Sequence, residues 1–333
     1  MHRGFRLGRR ALLGAAIPLA LLPVAWGAEQ AQDPQTVRIG HIFTPGSEVN
    51  QGMEEFARIV EEQTDGRYDF EILPSSQLGS ALDLMQQVSD GSLEISIIGP
   101  SGFAPRVPPI SMLEAPFVAR DFEHLERIFN SDVVQGHLTT LSDDFRIYIP
   151  DIWYYGSRHF TTKDKALNTP ADMEGLKFRV PENAMMVEMV KALGGTPTPM
   201  SFGEVYLGLQ TGVVDGQENP IPTIYNNKFN EVQGFLALDG HIVNPLVPFV
   251  NTDFWEGLPD GDRAIFQDAF VAGGALNDEL TVTNEAKLLE ELKAGGMTVT
   301  EPDREVFKAK LAPFYEQYEP VWGEGVIESL SNL

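Results

Sequence analysis

Strand-like and helix-like apolar patterns alternate along the N-terminal half of the chain, and this alternation limits the possible folds more than any other feature. Two strand-like segments, 36–43 and 68–74, are each followed by apolar residues at helical spacing. The second of these helices stops at Gly91, and a third strand-like segment follows at 94–99. Strands that alternate with helices form a largely parallel sheet covered by helices. The sequence therefore predicts an α/β fold.

The middle of the chain repeats this order of elements. Two strand-like and two helical segments occur, at 146–162, 172–181, about 184–193 and 201–212. In each half an apolar helix ends at a glycine, and an acidic residue three positions later precedes a strand. The two segments are Gly91-Ser-Leu-Glu94 and Gly212-Val-Val-Asp215. This echo favours two similar α/β lobes in one chain.

Residues 262–295 contain no proline and keep a helical pattern throughout, which is long for a globular protein. The segment predicts either one helix that spans both lobes or two helices that break near Gly273 and Gly274. No low-complexity linker separates the lobes in the sequence. The chain should therefore pass between them more than once, and we expect the crossing strands to form a hinge.

The first 27 residues have the composition of a secretory signal. Four arginines and no acid occupy the first ten positions, an uncharged apolar run follows, and Ala25 and Gly27 are small residues at the spacing that a signal peptidase requires. Arg9 and Arg10 loosely fit a twin-arginine export signal, although an ordinary Sec signal is the simpler interpretation. We predict cleavage near Ala28 and a periplasmic mature protein.

Acidic residues outnumber basic ones, 48 against 24, which gives a formal net charge of −24. Loss of the four arginines at the N-terminus would change this charge to −28. A strongly acidic chain is a poor partner for nucleic acid or for an anionic membrane surface. The chain has no cysteine, so neither disulfides nor thiolate chemistry contribute.

Sequence signatures of catalysis are missing. The chain has no G-x-S-x-G, P-loop, G-x-G-x-x-G or H-E-x-x-H pattern, and no two of its six histidines have the spacing of metal ligands. We therefore expect a protein that is not an enzyme and that uses neither a cofactor nor a metal. A cleft between two α/β lobes is then the natural ligand site.

The segment GLKFRVP, residues 175–181, places a cation at the end of an apolar strand. Strand alternation sends its leucine, phenylalanine and valine to one face and Lys177 and Arg179 to the other. A half-buried strand with a solvated cationic face would explain this pattern. The alternative is an arginine that binds a ligand carboxylate, because a guanidinium offers two parallel N–H donors that lysine cannot reproduce.

Several longer runs resemble the solute receptors of tripartite ATP-independent periplasmic (TRAP) transporters. They are LPSSQLGSALDLMQQVSDGSLEIS (73–96), GSRHFTT (156–162), TPADMEGLKFRVPEN (169–183), GGTPTPMSFGEVYLGLQTGVVDGQENP (194–220) and KFNEVQGFLALDGHI (228–242). The resemblance covers nearly the whole chain after the signal segment. It implies a periplasmic-binding-protein-like fold, with two α/β lobes around a ligand cleft and a long helix that spans both.

The resemblance also implies a division into lobes and a set of partners. The N-terminal lobe would comprise 28–156 and about 243–282, and the C-terminal lobe 157–242 and about 283–333. A receptor of this type delivers a small carboxylate to one large and one small integral membrane subunit, in transport driven by a sodium gradient. We expect the receptor to be a monomer.

The matching runs suggest four residues that would contact the ligand. Arg179 of the LKFRVP run would pair with the ligand carboxylate, and Arg158 of GSRHF would assist it. Asn219 of DGQEN would face the same carboxylate, and Phe202 would stack on the ligand.

Three further candidates depend on position alone. His41 follows the first strand, Gln77 lies in the loop after the second, and Tyr155 belongs to an aromatic run just before Arg158. Each of the three could equally be structural.

Two kinds of small acid compete as the ligand. A C4-dicarboxylate such as malate, succinate or fumarate needs two cationic poles, whereas a hexuronate such as glucuronate or galacturonate needs one pole plus polar and aromatic groups. Arg158 and Arg179 would serve one carboxylate together, and no second cation stands at a strand end in the N-terminal lobe. The sequence therefore favours a sugar acid. Other small carboxylates, including ectoine, are further possible ligands. An alternative function is that of a ligand sensor for a membrane kinase.

Overall fold

The computed structural model describes residues 1–2 and 33–333 of the chain. The predicted signal segment, 1–27, lies almost wholly outside the described residues, so its removal stays a prediction. Within the described part, no helix has both the length and the apolar character needed to cross a membrane. The folded unit spans residues 34–333.

The described part of the chain contains ten strands. They are β1 (Gln35–Gly40), β2 (Tyr68–Leu73), β3 (Ile95–Ile98), β4 (Ile147–Tyr148), β5 (Trp153–Thr162), β6 (Lys177–Val180), β7 (Thr196–Pro199), β8 (Gly216–Pro220), β9 (Phe235–Asn251) and β10 (Thr298–Thr300). They join in the order β2-β1-β3-β9-β5-β8-β6-β7, and both β4 and β10 pair with β9. The N-terminal group β1–β3 is parallel, as is the group β6–β8.

Helices cover the strands of both lobes. The α-helices are α1 (Glu48–Gln63), α2 (Ala81–Asp90), α3 (Phe122–Phe129), α4 (Asp132–Phe145), α5 (Ala184–Leu193), α6 (Val205–Thr211), α7 (Ile221–Asn226), α8 (Thr252–Gly257), α9 (Asp260–Ala294), α10 (Arg304–Lys310), α11 (Ala312–Trp322) and α12 (Val326–Ser331). Short 3-10 segments lie at Pro100–Phe103, Pro108–Glu114, Pro170–Met173, Phe202–Glu204 and Phe229–Glu231.

Local sequence signals explain where the N-terminal helices begin and end. The Ser47 side chain accepts a hydrogen bond from the backbone N–H of Asn50 and caps α1. Ser80 and Asp83 form a reciprocal capping box at the start of α2, which ends at Gly91 in the left-handed conformation. The predicted alternation of strands and helices, and with it the α/β fold, is confirmed. The sheet is more mixed than predicted, because β9 pairs antiparallel with β3, β4 and β5, and β5 pairs antiparallel with β8.

Two long strands cross between the lobes. The N-terminal end of β9 pairs with β5 and β10 in the C-terminal lobe, and its C-terminal end pairs with β3 and β4 in the N-terminal lobe. The register of β5 against β9 shifts between Tyr154 and Gly156, and again between Arg158 and Phe160. Gly156 has a φ of +116°, which suits glycine, and such bulges bend a strand locally. The predicted crossing of the chain is therefore present at β5 and β9.

Helix α9 is one continuous helix of 35 residues, about 52 Å long at 1.5 Å per residue. Phe266 and Phe270 near its start lie in the apolar core of the N-terminal lobe, and Leu292 near its end lies in that of the C-terminal lobe. The possible break at Gly273 and Gly274 is wrong. A Cβ at either position would clash with neighbouring groups, so these glycines let α1 and β5 approach the helix closely.

The C-terminal helix α11 packs against elements of both lobes. It contacts the 3-10 segment Pro108–Glu114 of the N-terminal lobe and helix α5 of the C-terminal lobe. Trp322 Nε1 donates a hydrogen bond to Ser111 Oγ over 2.9 Å. This helix therefore fixes the position of the 3-10 segment. The predicted lobe boundaries themselves stay a prediction.

Candidate functional site

A cavity of about 110 Å³ lies between the lobes. Since one water needs roughly 10–15 Å³, the cavity has room for several water-sized groups. Most of its wall follows the carboxyl ends of parallel strands, which is where α/β proteins bind ligands. These wall segments are 42–43 after β1, 80–82 after β2, 99 and 101–102 after β3, 181–183 after β6 and 200–202 after β7.

Five of the seven predicted site residues line this cavity, namely Arg158, Arg179, Asn219, Phe202 and Tyr155. Tyr155 is buried and packs edge-to-face against Phe43, with ring centroids 5.4 Å apart. Burial is the main cause that raises the pKa of Tyr155, to about 12, so its hydroxyl remains a hydrogen-bond donor.

His41 and Gln77 do not line the cavity. His41 is fully buried beside it, with Nε2 3.2 Å from Asn50 Oδ1, and burial lowers its pKa to about 4. The next two residues of the chain, Ile42 and Phe43, reach the cavity instead. Gln77 is exposed in the loop after β2. A ligand role for His41 and Gln77 stays a prediction, and neither side chain reaches the cavity wall.

Arg179 is buried without a counterion. The two residues before it follow the predicted alternation of strand faces, because Lys177 is exposed and Phe178 lies in the core. Arg179 is only 3% exposed, and its Nε donates to the backbone oxygen of Met200 over 3.0 Å. Within the described residues no carboxylate lies within 4.0 Å of its guanidinium, and neither Nη atom makes a hydrogen bond.

Two further observations describe the surroundings of Arg179. Its Cζ lies 5.7 Å from the centroid of the Phe202 ring, within the range of a cation–π contact. Burial is the main cause that lowers the pKa of Arg179, to about 10; Glu218 opposes this shift and Arg158 adds to it. Arg179 is therefore a charged group at a cavity wall that has no carboxylate partner among the described residues.

Arg158 lies at the same wall and is fully paired. Its Nε and Nη2 bind the two carboxylate oxygens of Glu218, and Nη2 also donates to the Glu218 backbone oxygen over 2.8 Å. Its guanidinium further donates to Asn244 Oδ1 over 2.8 Å and to Asn219 Oδ1 over 3.2 Å. Arg158 therefore orients two cavity-lining amides while Glu218 compensates its charge.

The pair of Arg158 and Glu218 continues into a buried network. His241 Nε2 lies 3.3 Å from Glu218 Oε2, and His241 Nδ1 lies 2.6 Å from Asp239 Oδ2. Burial alone would lower the pKa of His241, but Asp239 and Glu218 outweigh it and raise the pKa to about 9. Burial likewise opposes ionisation of Glu218, yet Arg158 and His241 hold its pKa at about 2.

A second acid, Glu114, lines the cavity from the N-terminal lobe. It is 3% exposed, accepts a hydrogen bond from the backbone N–H of Ser101 over 2.6 Å, and accepts another from Asn244 Nδ2 over 2.7 Å. Sequence reasoning missed both Glu114 and the pair of Asp239 and His241. The available signals were an acid inside the apolar run ISMLEAPF and the two-residue spacing in DGH, which sends both side chains to one strand face.

Hydrogen bonds join the lobes on either side of this site. Glu48 at the start of α1 accepts from Asn226 Nδ2 over 3.1 Å and from Asn284 Nδ2 over 2.6 Å. Asn183, which follows β6, donates to Ser101 Oγ over 3.1 Å. These contacts hold the two walls of the cavity together.

Comparison with known proteins gives a consistent result. The family model of bacterial extracellular solute-binding proteins, family 7 (DctP), matches residues 39–320. The sialic acid-binding periplasmic protein SiaP of Vibrio cholerae is 36% identical over 317 residues, which cover 95% of this chain and 98% of that protein.

Solved structures with the same fold hold several small acids. The TRAP solute-binding protein of Polaromonas sp. JS666, bound to D-erythronate, has a TM-score of 0.86 and 30% identity and covers 90% of this chain and 99% of its own. The TRAP solute-binding protein of Roseobacter denitrificans, bound to β-D-glucuronate, has a TM-score of 0.84 and 30% identity. The match covers 90% of this chain and 98% of that protein. The TRAP solute-binding protein of Sulfurospirillum deleyianum, bound to succinate, has a TM-score of 0.84 and 26% identity. The match covers 90% of this chain and 99% of that protein.

Proposed function

This chain belongs to the DctP family of bacterial extracellular solute-binding proteins, the receptors of TRAP transporters, and we propose that it binds a sugar acid through Arg179 in the cleft between its lobes. The resemblance found in the sequence is thereby confirmed. Members of the family are transport receptors for organic acids rather than enzymes. The identity of the acid and the residues that bind it are the parts we propose.

The observation that carries the proposal is the unpaired charge of Arg179. A buried cation without a counterion is costly, and a bound carboxylate would compensate it. The Nε of Arg179 is engaged by Met200, while its two Nη atoms make no hydrogen bond to the described residues. A carboxylate accepts favourably from such paired donors. Asn219, oriented by Arg158, would donate from the same wall.

The charge of the neighbouring arginine favours a monocarboxylate. Glu218 already compensates Arg158, so among the described residues of the cavity wall one cation, Arg179, remains for a ligand carboxylate. Polar groups of Ser101 and Asn183 and the rings of Tyr155 and Phe202 suit hydroxyls and a sugar ring. A hexuronate such as glucuronate or galacturonate fits this wall. The alternative is a C4-dicarboxylate, which the succinate-bound relative favours.

Location and partners follow from the family. TRAP receptors work with integral membrane subunits, and we infer that this chain acts in the periplasm, after its signal segment is removed, beside one large and one small subunit. We expect it to act as a monomer.

A thermal-shift screen of the chain without residues 1–27 tests this function. The panel comprises hexuronates, aldonates, C4-dicarboxylates, sialic acid and ectoine. A ligand that binds only the folded state raises the melting temperature by mass action. We expect a rise with hexuronates that is lost in Arg179→Ala and kept in Arg58→Ala, which alters an exposed arginine on α1.

Other outcomes of the screen would contradict the proposal. A rise with succinate or malate alone would replace the sugar acid by a C4-dicarboxylate. An unchanged rise in Arg179→Ala would remove the assignment of Arg179. A loss of at least about 2 kcal/mol of binding free energy is expected for a charge-assisted pair of this kind.

A further inference from the structure

We propose that Glu114 is a specificity-determining residue, whose carboxylate accepts a hydrogen bond from a ligand hydroxyl and excludes acids with a second carboxylate. The inference rests on the proposed function, because it names the chemical class of ligand for the same cavity. Glu114 ends the 3-10 segment Pro108–Glu114 and lines the cavity opposite the lobe that carries Arg179. The two lobes therefore contribute opposite charges to one cavity.

The hydrogen bonds that begin at Arg158 fix Glu114 as an acceptor. A guanidinium can only donate, so the Asn244 atom 2.8 Å from Arg158 Nη1 is the amide oxygen. The amide nitrogen of Asn244 therefore faces Glu114 Oε1 and donates to it over 2.7 Å. The other oxygen, Oε2, accepts from the backbone N–H of Ser101. Two accepting oxygens are the pattern of an ionised carboxylate.

Glu114 is buried, and no basic side chain of the described residues lies within 4.0 Å of it. Its position is also fixed by its neighbours. A Cβ at residue 99 would lie 2.8 Å from Glu114 Oε1, so glycine at that position makes room for the carboxylate. Trp322 of α11 binds Ser111 in the same 3-10 segment. A buried and immobile anion at this wall acts on any ligand that fills the cavity.

The chemistry of this anion selects among small acids. A carboxylate has about four acceptor sites, so Glu114 can accept one or two more hydrogens. A ligand hydroxyl supplies one, whereas a second ligand carboxylate supplies none and is repelled strongly away from water. Neutral donors from Ser101 and Asn244 already stabilise Glu114, so a neutral hydroxyl is sufficient. The cavity therefore selects hydroxylated monocarboxylates.

Pairs of acids that differ at one end test this role. D-Erythronate and meso-tartrate differ only by a terminal CH₂OH or carboxylate, and D-galactonate and galactarate form the matching six-carbon pair. By isothermal titration calorimetry we expect the wild-type chain to bind the monocarboxylate of a pair at least ~30-fold more tightly. In Glu114→Gln, which keeps the side-chain shape, we expect this preference to fall below about fivefold.

Glu71→Gln, which removes the same charge from an exposed position on β2, is the control for net charge and should keep the wild-type preference. Melting curves establish whether each variant folds. If Glu114→Gln does not fold, the wild-type affinities for the two acids of each pair test the role of Glu114 on their own. Equal wild-type affinity within a pair, or an unchanged preference in folded Glu114→Gln, would overturn the role of Glu114 and leave the sugar-acid site intact.

Two outcomes concern the ligand itself. Tighter binding of ectoine than of either aldonate would overturn the assignment of a hydroxyl as the donor to Glu114. A wild-type chain that binds no hexuronate, aldonate or aldarate would overturn the proposed sugar-acid function and this inference with it.

Discussion

Arg158 and Arg179 line the same cavity, are buried to the same extent, and differ in their partners. Arg158 binds both carboxylate oxygens of Glu218 and two amide side chains, whereas the guanidinium of Arg179 makes one hydrogen bond within the described part of the chain, from Nε to the Met200 backbone. We therefore infer that Arg158 is part of the scaffold of the site and that Arg179 is available to a ligand. Two buried arginines of one cavity thus differ in pairing rather than in residue type, and the proposed difference in their roles depends on this pairing.

Loss of Arg158 should produce the largest effect, and on stability. In Arg158→Ala the carboxylate of Glu218 stays buried without its main partner, so we expect the free energy of unfolding to fall by about 3–5 kcal/mol. Urea denaturation measures this change. A variant that unfolds at the wild-type urea concentration would show that Arg158 is not structural and would end the contrast with Arg179.

The next effect is a dependence of stability on pH through His241. Its pKa is raised to about 9 in the folded chain, against 6.5 for the free side chain. A raised pKa stabilises the fold fully below pH 6.5, and this stabilisation is lost as the pH rises through 9. We expect a loss on the order of 3 kcal/mol across this range.

Denaturation of wild type and His241→Gln at several pH values between 6.5 and 9 measures this effect. The variant should lack the decline, since His159, the neighbouring buried histidine, has a pKa lowered to about 4 and does not titrate there. Equal slopes for the two proteins would show that His241 is not charged beside Glu218, and that Arg158 alone compensates that carboxylate.

The contacts between the lobes should have a smaller effect. Glu48 accepts hydrogen bonds from Asn226 and Asn284, so Glu48→Gln replaces one acceptor by a donor and weakens this contact between the lobes. We expect ligand affinity to fall by about 1 kcal/mol, mostly through faster dissociation. Stopped-flow dissociation of a bound hexuronate checks this, and an unchanged rate would show that Glu48 does not hold the lobes together.

The smallest expected effect on stability belongs to Arg179. Because Arg179 has no counterion among the described residues, Arg179→Met removes a costly buried charge and keeps much of the volume. Its free energy of unfolding should therefore stay within about 1 kcal/mol of wild type, or rise. A loss as large as that of Arg158→Ala, measured in the same urea titrations, would remove the difference between the two arginines.

The sequence predicted the features that depend on local pattern. The α/β alternation, the single long helix as one of two options, and the position of Arg179 on the strand before Pro181 all follow from periodicity within short segments. The matching runs around Arg158, Phe202 and Asn219 identified side chains that do line one cavity.

Features that depend on distant pairing could not be predicted in this way. Glu114 meets Asn244, 130 residues later, only because the 3-10 segment packs beside β9. His41 follows its strand at a suitable position, yet the burial that places it beside Asn50 turns it away from the cavity. The sequence could not show whether Gly273 and Gly274 break the helix, because these glycines allow the close approach of α1 and β5, which depends on tertiary contacts.

A double-mutant cycle on protein and ligand would show whether Arg179 binds the ligand carboxylate. Calorimetry would compare D-glucuronate with its neutral amide, glucuronamide, in wild type and in Arg179→Gln. We expect wild type to prefer the carboxylate by about 2 kcal/mol or more and the variant to lose this preference. An equal preference in both proteins would contradict this role of Arg179, because the carboxylate would then bind elsewhere.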